Sequence, residues 1–424
     1  MGNRRARPAA LLALLLVGCG APAGPAGAPG PPAAPSAAGP ALPAGVRYQQ
    51  VTRTLDDGRP LRVSVLGVAP DARVRVTGVH GADLAGSETV RSMAVRAGAL
   101  AAVNGTYYDI STGPHFAGHE GDPIGLYTEN GRVLSEALPG RPALLLGTAG
   151  GRLTARVAAT GTLGRLRASD GTRRELDGVD RVPGRVLGCG GAGGDRTAGA
   201  GRPRPTPRHG LCTDPDEIVS FTPEWGAGTP PGPAGSTEAL LAPDGTVLGT
   251  RSPAGGPLPA GGSSLYGIGG GADWLCAHAG KGTRPAVSMR LTDADGIPLA
   301  GKAVTTALGG SARLVRNGAV DPDATRLGTS RQPRTAAGVT ADGTLLLVAA
   351  DGRVPGASAG ATPVEVARLL LSLGAVDAVN LDGGGSTTVV VDGELRNEPR
   401  SAEKGAVTER RVGDAIAVLP LRKG

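Results

Sequence analysis

The stretch Thr362–Val391 decides the fold, and it reads TPVEVARLLLSLGAVDAVNLDGGGSTTVVV. Its first half predicts an amphipathic helix, because Thr362 and Glu365 form a capping box, Pro363 takes the first helical position and Gly374 ends the pattern. The apolar face of this helix consists of Val366, Leu369, Leu370 and Leu373. A short buried strand and a glycine-rich loop follow the helix.

A second helix–strand unit of this kind lies near the start of the chain. Ser87–Ala97 predicts a helix with Ser87 as its N-cap and Gly98 as its stop. The sequence Ala-Val-Asn follows both helices, at residues 102–104 and at residues 378–380. Asn104 lies six residues after Gly98, and Asn380 lies six residues after Gly374. We interpret the two units as a degenerate internal repeat that brings both Asn to one cleft. Coincidence is the alternative, since Ala and Val are common in this chain.

Between these units the sequence is typical of antiparallel sheet. Leu61–Val68 and Val74–Val79 predict strands separated by a Pro-Asp turn. Four further turns predict hairpins: Asn130-Gly131, Asp244-Gly245, Asn317-Gly318 and Asp342-Gly343. The sum predicts an α+β fold, mostly antiparallel sheet with a few helices.

The first residues predict export and lipid anchoring. Three arginines precede the apolar run Ala9–Val17, and Leu16-Val17-Gly18-Cys19 resembles a bacterial lipobox. We therefore predict a signal peptide at residues 1–18 and lipid attachment at Cys19, on the outer face of the cell membrane. Ordinary cleavage that leaves a free Cys is the alternative.

Composition sets the expected domain boundaries. Residues 19–45 are nearly all Ala, Pro, Gly and Ser and predict a tether, and residues 46–424 predict one domain. Within this domain, the Pro- and Gly-rich residues 230–262 predict a surface insertion. Removal of residues 1–18 takes away three basic residues and no acidic ones, so the net charge falls from +7 to +4. This small excess argues against a nucleic-acid partner.

The cysteines and histidines give no metal pattern. Cys189 and Cys212 flank a Gly-, Arg- and Pro-rich stretch, so we predict a disulfide between them and a free, buried Cys276. His115 and His119 lie four residues apart without an evident third ligand, and loop histidines are favoured over a metal site. We predict no cofactor.

The loop Asp382–Ser386 holds the most informative residues. Gly383, Gly384 and Gly385 allow close approach of the backbone to a ligand and predict a nest of N–H groups for a phosphate. Asp382 could act as a base, a nucleophile or a clamp for a hydroxyl group. A tight turn capped by Asp382 is the structural alternative.

Taken together, the motifs resemble the phosphodiester glycosidase family, which cleaves a sugar from a phosphodiester-linked aglycone. The matching segments occur in the family's order and cover most of the chain after Val46: Ala102–Tyr108, Pro123–Gly125, Cys189–Gly191, Gly309-Gly310, Leu314-Val315, Asn317-Gly318, Pro333–Ala336, Gly338-Val339, Val348–Arg353, the helix from Thr362, Asn380–Ser386, Asn397–Ser401 and Glu409-Arg410. Two positions depart from it. A Tyr stands at 107 or 108 where a Phe is usual, and Asp180-Arg181 replaces an Asn-Arg pair.

The resemblance implies a hydrolase for a sugar 1-phosphodiester, similar to N-acetylglucosamine 1-phosphodiesters. We expect Asp382, Asn104 and Arg334 to be catalytic, with Arg334 holding the phosphate. The expected substrate-binding residues are Asn380, Gly383, Gly384, Gly385, Ser386, Thr335, Asp351, Arg353, Asn397 and Arg410. For Arg334 a surface ion pair is the alternative, and for Arg353 a structural turn.

Two other functions remain possible from the sequence. A non-catalytic envelope lipoprotein could bind phosphorylated glycopolymers of the cell wall, which would also be natural substrates for the enzyme. A phosphodiesterase would break the P–O bond instead, but its usual clusters of His and Asp are missing from the sequence.

Overall fold

The computed structural model describes residues 42–109, 121–187, 196–197, 211–299, 303–403 and 405–421. The described residues include four helices, α1 (Val90–Ala97), α2 (Gly270–His278), α3 (Pro322–Arg326) and α4 (Pro363–Ser372), and a 3-10 turn at Gly384–Ser386. The strands are β1 (Val46–Thr54), β2 (Pro60–Val68), β3 (Val74–His80), β4 (Glu88–Thr89), β5 (Ala101–Asn104), β6 (Tyr107–Tyr108), β7 (Pro123–Ile124), β8 (Tyr127–Glu129), β9 (Arg132–Ser135), β10 (Pro142–Ala149), β11 (Arg152–Arg167), β12 (Arg173–Glu175), β13 (Gly178–Val179), β14 (Val186–Leu187), β15 (Arg196–Thr197), β16 (Leu211–Thr213), β17 (Ile218–Phe221), β18 (Gly228–Thr229), β19 (Thr237–Leu241), β20 (Val247–Arg251), β21 (Gly256–Pro257), β22 (Ser263–Gly267), β23 (Ala286–Asp293), β24 (Thr306–Gly309), β25 (Ala312–Arg316), β26 (Ala319–Val320), β27 (Arg334–Thr340), β28 (Leu345–Ala350), β29 (Ala375–Asn380), β30 (Val389–Val391), β31 (Glu394–Leu395), β32 (Arg411–Val412) and β33 (Asp414–Pro420).

The structure is mostly β, so the predicted α+β class is wrong. The four helices are only 8, 9, 5 and 10 residues long. They pack on faces of the sheets and form no helical layer of their own. The prediction gave too much weight to the two well-capped helical patterns and too little to the many short strands between them.

The predicted strands and hairpins are confirmed. Leu61–Val68 and Val74–Val79 lie within β2 and β3. The four predicted turns join antiparallel pairs, namely β8 with β9, β19 with β20, β25 with β26, and β27 with β28. Asn130 and Asn317 both have a φ of 50°, the left-handed conformation that Asn tolerates at such turns.

Three large sheets surround the main core. Their strand orders are β1-β2-β28-β27-β29-β25-β26, β3-β33-β5-β30-β31, and β12-β11-β10-β24-β8-β9 with β23 beside β11. Buried residues from all three meet in one cluster, among them Leu347 and Val379 from the first sheet, Val103 and Ile416 from the second, and Leu144 from the third. Strands β5 and β29 belong to different sheets, and both contribute a buried residue to this core.

Helices α1 and α4 form where the sequence predicts them. Thr362 and Glu365 make the predicted capping box, and Val366 and Leu370 are fully buried against the first sheet. Helix α1 has Thr89 as its N-cap, two residues later than the predicted Ser87, and ends at the predicted Gly98 in the left-handed conformation. Each helix leads into a strand that ends in Asn, β5 or β29.

A further five-stranded sheet has the order β13-β17-β22-β19-β20 and carries α2. Residues 230–262, the predicted surface insertion, supply β19, β20 and β21, and Ala239 and Leu241 are buried there. The domain boundaries stay a prediction. Cys276 on α2 is free, but it is exposed, so its predicted burial is wrong. The amphipathic pattern of α2 is weak, and Cys276 falls on its outer side next to the buried Leu275.

Among the described residues, the helices are all too short or too polar to cross a membrane.

Candidate functional site

The glycine-rich loop Asp382–Ser386 connects β29 to β30 at the point where the first two sheets meet. The N–H of Gly384 donates to the carbonyl oxygen of Pro333 at 2.8 Å, and the N–H of Ser386 donates to Gly383 at 3.2 Å. A Cβ at Gly383 would lie 2.9 Å from the Pro333 oxygen, so the close approach to the start of β27 requires glycine. Of the three glycine N–H groups, those of Gly383 and Gly385 have no acceptor among the described residues. The phosphate nest stays a prediction, in which the N–H group of Gly384 is already used for a bond within the chain.

Two arginines lie against the glycines. A Cβ at Gly385 would lie 2.6 Å from Nη2 of Arg410, and one at Gly384 would lie 3.6 Å from Nη2 of Arg353. Arg410 donates to the hydroxyl of Ser401 at 3.0 Å, and Arg353 donates to the carbonyl oxygen of Ser401 at 2.7 Å. Both predicted binding residues are therefore held beside the loop by the segment around Ser401.

Arg353 also has an unusual backbone, with a φ of 63°. Its guanidinium donates to the carbonyl oxygen of Arg400 at 2.8 Å and to the side chain of Gln332. The residue thus forms a structural turn and at the same time places a guanidinium beside the loop, so the two interpretations of Arg353 do not exclude each other.

Tyr108 lies in the same cluster, and the sequence did not single it out as a site residue. Its hydroxyl donates to the carbonyl oxygen of Arg411 at 2.7 Å. Burial, and after it the charge of Asp382, raise the pKa of Tyr108 to about 12, although Ser386 and Arg410 act in the opposite direction. The charges of Asp382 and Arg410 therefore act on the same phenol, in opposite directions.

Asp382 is almost buried, with 6% of its surface exposed. Its backbone N–H donates to the carbonyl oxygen of Gly105 at 3.2 Å, and its carbonyl oxygen accepts from Nδ2 of Asn104 at 2.8 Å. The segment Asn104-Gly105 therefore fixes Asp382 through its backbone and leaves the carboxylate out of these contacts.

A second carboxylate, Asp414 at the start of β33, belongs to the site and was not predicted. It is fully buried and accepts hydrogen bonds from the N–H of Thr106, at 2.8 Å, and from its hydroxyl. Burial raises the pKa of Asp414 to about 7, and the charge of Asp382 contributes to the rise, against the effect of Thr106. A Cβ at Gly105 would lie 1.9 Å from Oδ1 of Asp414, so only glycine fits there. A lone acid at the head of the apolar strand DAIAVLP is the sequence signal that could have found it.

Asn104 makes three hydrogen bonds within the chain. Its Oδ1 accepts from the hydroxyl of Thr335 at 2.8 Å and from the N–H of Thr388 at 3.1 Å. With the bond from its Nδ2 to Asp382, it joins three segments. Thr335 is fully buried and touches the loop region through Asn104.

Asn380, at the end of β29, makes a different set of contacts. Its Nδ2 lies 2.8 Å from the hydroxyl of Tyr107, 2.9 Å from that of Ser311 and 2.8 Å from the carbonyl oxygen of Leu381. Its Oδ1 is buried and has no partner among the described residues. The two Asn therefore hold adjacent residues, Leu381 and Asp382, from the two sheets.

Asp351 and Asn397 lie under the second half of the loop. Nδ2 of Asn397 donates to Asp351 and to the carbonyl oxygen of Thr387, both at 2.9 Å, and its Oδ1 accepts from the N–H of Val389 at 2.8 Å. Burial raises the pKa of Asp351. Both residues are more than 90% buried, so the structure places these two predicted binding residues behind the loop.

Arg334 begins β27, with its Cα close to Gly383. Its guanidinium donates to the carbonyl oxygens of Ala361 at 3.2 Å and Ser330 at 3.0 Å. These two bonds hold its guanidinium against the segments that precede β27 and α4.

The departure at Asp180-Arg181 has a structural explanation. Asp180 has a φ of 49° and accepts from both the N–H and the hydroxyl of Thr222 at 2.7 Å. Asp and Asn both tolerate this conformation, so Asp can replace the family's Asn. Burial raises the pKa of Asp180 to about 8. Arg181 is buried between Glu136 and Glu217.

Several predicted features lie outside the described residues: the signal peptide, Cys19, His115, His119 and Cys189. Cys212 is described and buried in β16. The disulfide to Cys189 and the lipid anchor therefore stay predictions. Within the described ranges, no group of three or more His, Cys, Asp or Glu residues is arranged to hold a metal ion.

Comparison with known proteins supports the resemblance. A family model described as phosphodiester glycosidase matches residues 237–419, a range that includes the loop and Asp414. A candidate exported protein of Burkholderia pseudomallei of known structure has a TM-score of 0.72 and 32% sequence identity, over 86% of this chain and 75% of that one.

Two further proteins match at lower sequence identity or over a shorter part of this chain. A hypothetical protein of Synechocystis has a TM-score of 0.64 at 21% identity, over 89% of this chain and 62% of that one, and shares the fold. An uncharacterised SPbeta prophage-derived protein of Bacillus subtilis is 38% identical over 79 residues, or 19% of this chain. The chain thus spans 12% of the length of that curated relative.

Proposed function

Because this chain belongs to the phosphodiester glycosidase family, we propose that it hydrolyses a sugar 1-phosphodiester, similar to those of N-acetylglucosamine, to a free sugar and a phosphomonoester. The observation that carries the proposal is the glycine loop itself, with the guanidinium groups of Arg410 and Arg353 against Gly385 and Gly384 and the nearly buried Asp382 at its start. It offers a carboxylate and a guanidinium within one small site, as a sugar–phosphate bond requires.

In the proposed complex the phosphate lies over the loop. The N–H groups of Gly383 and Gly385 donate to its oxygens, and the guanidinium groups of Arg353 and Arg410 provide charge-assisted hydrogen bonds. The sequence favoured Arg334 for this role. We now assign it first to Arg353 and Arg410, because they approach the glycines most closely, and leave Arg334 at the edge of the site.

Asp382 acts on the sugar side of the bond. The leaving phosphomonoester has a second pKa of about 6, so it departs with little help from a general acid. The remaining task is to stabilise positive charge at the anomeric carbon or to activate water, and a nearly buried carboxylate suits both. Asp414, whose pKa burial raises to about 7, is largely protonated below neutral pH and then places no second negative charge beside Asp382.

The buried polar residues position this machinery. Asn104 and Thr335 hold Asp382 through its backbone, and Asp351 and Asn397 hold the loop from behind. We therefore propose positioning roles for these four residues. Asn380 differs, because its Oδ1 has no partner among the described residues and can accept a hydrogen bond from a sugar hydroxyl if the site opens.

The test is hydrolysis of the methyl ester of N-acetylglucosamine 1-phosphate by the purified chain. The proposal predicts N-acetylglucosamine and methyl phosphate, whereas N-acetylglucosamine 1-phosphate would identify a phosphodiesterase. Asp382→Asn should abolish turnover and keep the circular dichroism spectrum. The control is Asp392→Asn, which removes an exposed carboxylate ten residues away in a hairpin turn. Binding of sugar phosphodiesters without any product would show a binding protein instead.

Export and lipid attachment at Cys19 complete the proposal and place the reaction at the cell envelope. The N-terminal pattern supports them, and the description of the Burkholderia relative as a candidate exported protein supports export. Cys19→Ala should release the protein from the membrane fraction or leave it unprocessed. Unchanged membrane association and electrophoretic mobility would contradict lipid attachment.

A further inference from the structure

An arginine-rich surface lies on the third sheet, where β12, β11 and β23 run side by side. Successive residues of a strand point to opposite faces, so the register decides which side chains share a face. Arg165 and Arg167 of β11 lie opposite Glu175 and Arg173 of β12, and Leu163 lies opposite Arg290 of β23. Leu166, between the two arginines of β11, is buried.

These side chains line a groove with a volume of about 900 Å³. We call it the arginine groove and define it by Arg165, Arg167, Arg173 and Arg290, all of which are exposed. Leu163 contributes an apolar surface to it. None of the residues around the glycine loop lines this groove, so it is separate from the proposed catalytic site.

The charges of the arginine groove are not balanced within the described part of the chain. None of the four guanidinium groups forms an ion pair there, whereas Arg174, which also lines the groove, is paired with Asp216. Glu175 is the single acid among the described lining residues. Arg167 and Arg173 are direct cross-strand neighbours, and like charges at such positions repel each other. An anionic ligand would remove this repulsion.

We propose that the arginine groove binds a linear, phosphodiester-linked polymer that carries the sugar phosphodiester to be cleaved. The proposal rests on the proposed function for its choice of anion. Arg165 and Arg167 lie two residues apart on one strand, or about 7 Å, and Arg173 lies about 5 Å away on the next. Such a row of cations suits the repeated charges of a polymer better than a single phosphate. A groove also accepts a chain more readily than the flat surface of a membrane.

The test measures binding of poly(glycerol phosphate) to the full chain in a Cys19→Ala background, which carries no lipid. The groove variant combines Arg165→Gln, Arg167→Gln, Arg173→Gln and Arg290→Gln. The control variant removes the same charge from exposed arginines elsewhere: Arg47→Gln, Arg53→Gln, Arg73→Gln and Arg152→Gln. Turnover of the small methyl ester and binding to phosphatidylglycerol vesicles are measured on the same samples.

We expect the groove variant to bind the polymer about 30-fold more weakly, since each exposed charge pair contributes a factor of roughly two to three. The control variant should bind nearly as the parent does, and added salt should weaken the parent's binding most. Turnover of the small ester should be the same in all three proteins.

Equal binding by the groove and control variants would overturn the proposal. So would a preference of the groove for vesicles over polymer, which would make it a membrane contact. A parent protein that releases no sugar from the small ester would contradict the proposed function, and this outcome is separate from the effect of the groove variant on polymer binding.

Discussion

The substitution Gly385→Ala tests whether the position of the Arg410 guanidinium controls the reaction. The new Cβ would lie 2.6 Å from Nη2 of Arg410 and 2.6 Å from the hydroxyl of Ser401. An ordinary contact is at least 3.4 Å, so each group must move by roughly 0.8 Å. Both are ends of flexible side chains, and Gly385 has no positive φ. The fold should therefore tolerate the change, while the guanidinium leaves its place beside the loop.

The expected loss in activity is large compared with the loss in stability. A charge-assisted hydrogen bond contributes about 1.5–3 kcal/mol, and a displacement near 1 Å costs up to about 100-fold in rate. We expect kcat/KM for the methyl ester to fall by about 10- to 100-fold and Tm to change by roughly 2 °C or less.

The assay is release of N-acetylglucosamine, with thermal melts of the same samples. Gly249→Ala is the matched control, because its Cβ would meet no atom within 4 Å and its φ is not positive. If Gly385→Ala kept the activity of the Gly249→Ala protein, Arg410 would have no role in binding the phosphate. A fall in Tm much larger than predicted would mean that the residues around the loop cannot accommodate the added methyl group.

Three further outcomes are expected from the structure. Asn104→Ala removes three buried hydrogen bonds and should lower the free energy of unfolding by about 3 kcal/mol, which corresponds to a fall in Tm of roughly 4 °C. An unchanged thermal melt would contradict the positioning role of Asn104. Because burial raises the pKa of Asp180 to about 8, the folded chain binds one more proton than the unfolded chain between about pH 4 and 8, and it loses stability as the pH rises through this range. Asp180→Asn should therefore raise Tm more at pH 9 than at pH 5, and an equal effect at both pH values would count against the buried acid. The exposed thiol of Cys276 should react with a maleimide in the folded chain, and non-reduced digests should show Cys189 linked to Cys212; an unreactive or paired Cys276 would reverse the assignment.

The local structure could be predicted where a short segment determines its own conformation. The capping box of Thr362 and Glu365 forms α4, and the turns at Asn130 and Asn317 form hairpins, because their hydrogen bonds and backbone angles depend on neighbouring residues. The prediction of the fold class was wrong because it depends on contacts between distant segments. The share of helix depends on how all the short strands pair, and pairing between distant segments leaves little local signal.

For the site, too, residues within one segment could be predicted and residues from distant strands could not. The loop around Asp382 could be singled out because it occurs together with the other segments that resemble the family. Its three glycines alone do not distinguish it, since Gly269–Gly271 is a second run of three glycines in this chain. Tyr108 and Asp414 were missed because they reach Asp382 from β6 and β33, which only the folded sheets bring together. For Arg334 the sequence predicted a role of the guanidinium in binding phosphate. In the structure the Cα of Arg334 lies close to Gly383, while its guanidinium donates to the carbonyl oxygen of Ala361.

The two asparagines explain how the fold could position a single carboxylate so closely. Asn104 ends a strand of the second sheet and Asn380 ends a strand of the first, and they bind the carbonyl oxygens of Asp382 and Leu381. A movement of either sheet relative to the other would therefore stretch the bond from Asn104 to Asp382, which joins the two sheets, and shift Asp382. Since both strands also carry core residues, Val103 and Val379, the packing of the main core is coupled to the position of the carboxylate. Substitutions that enlarge or empty this core should thus lower activity before they unfold the chain.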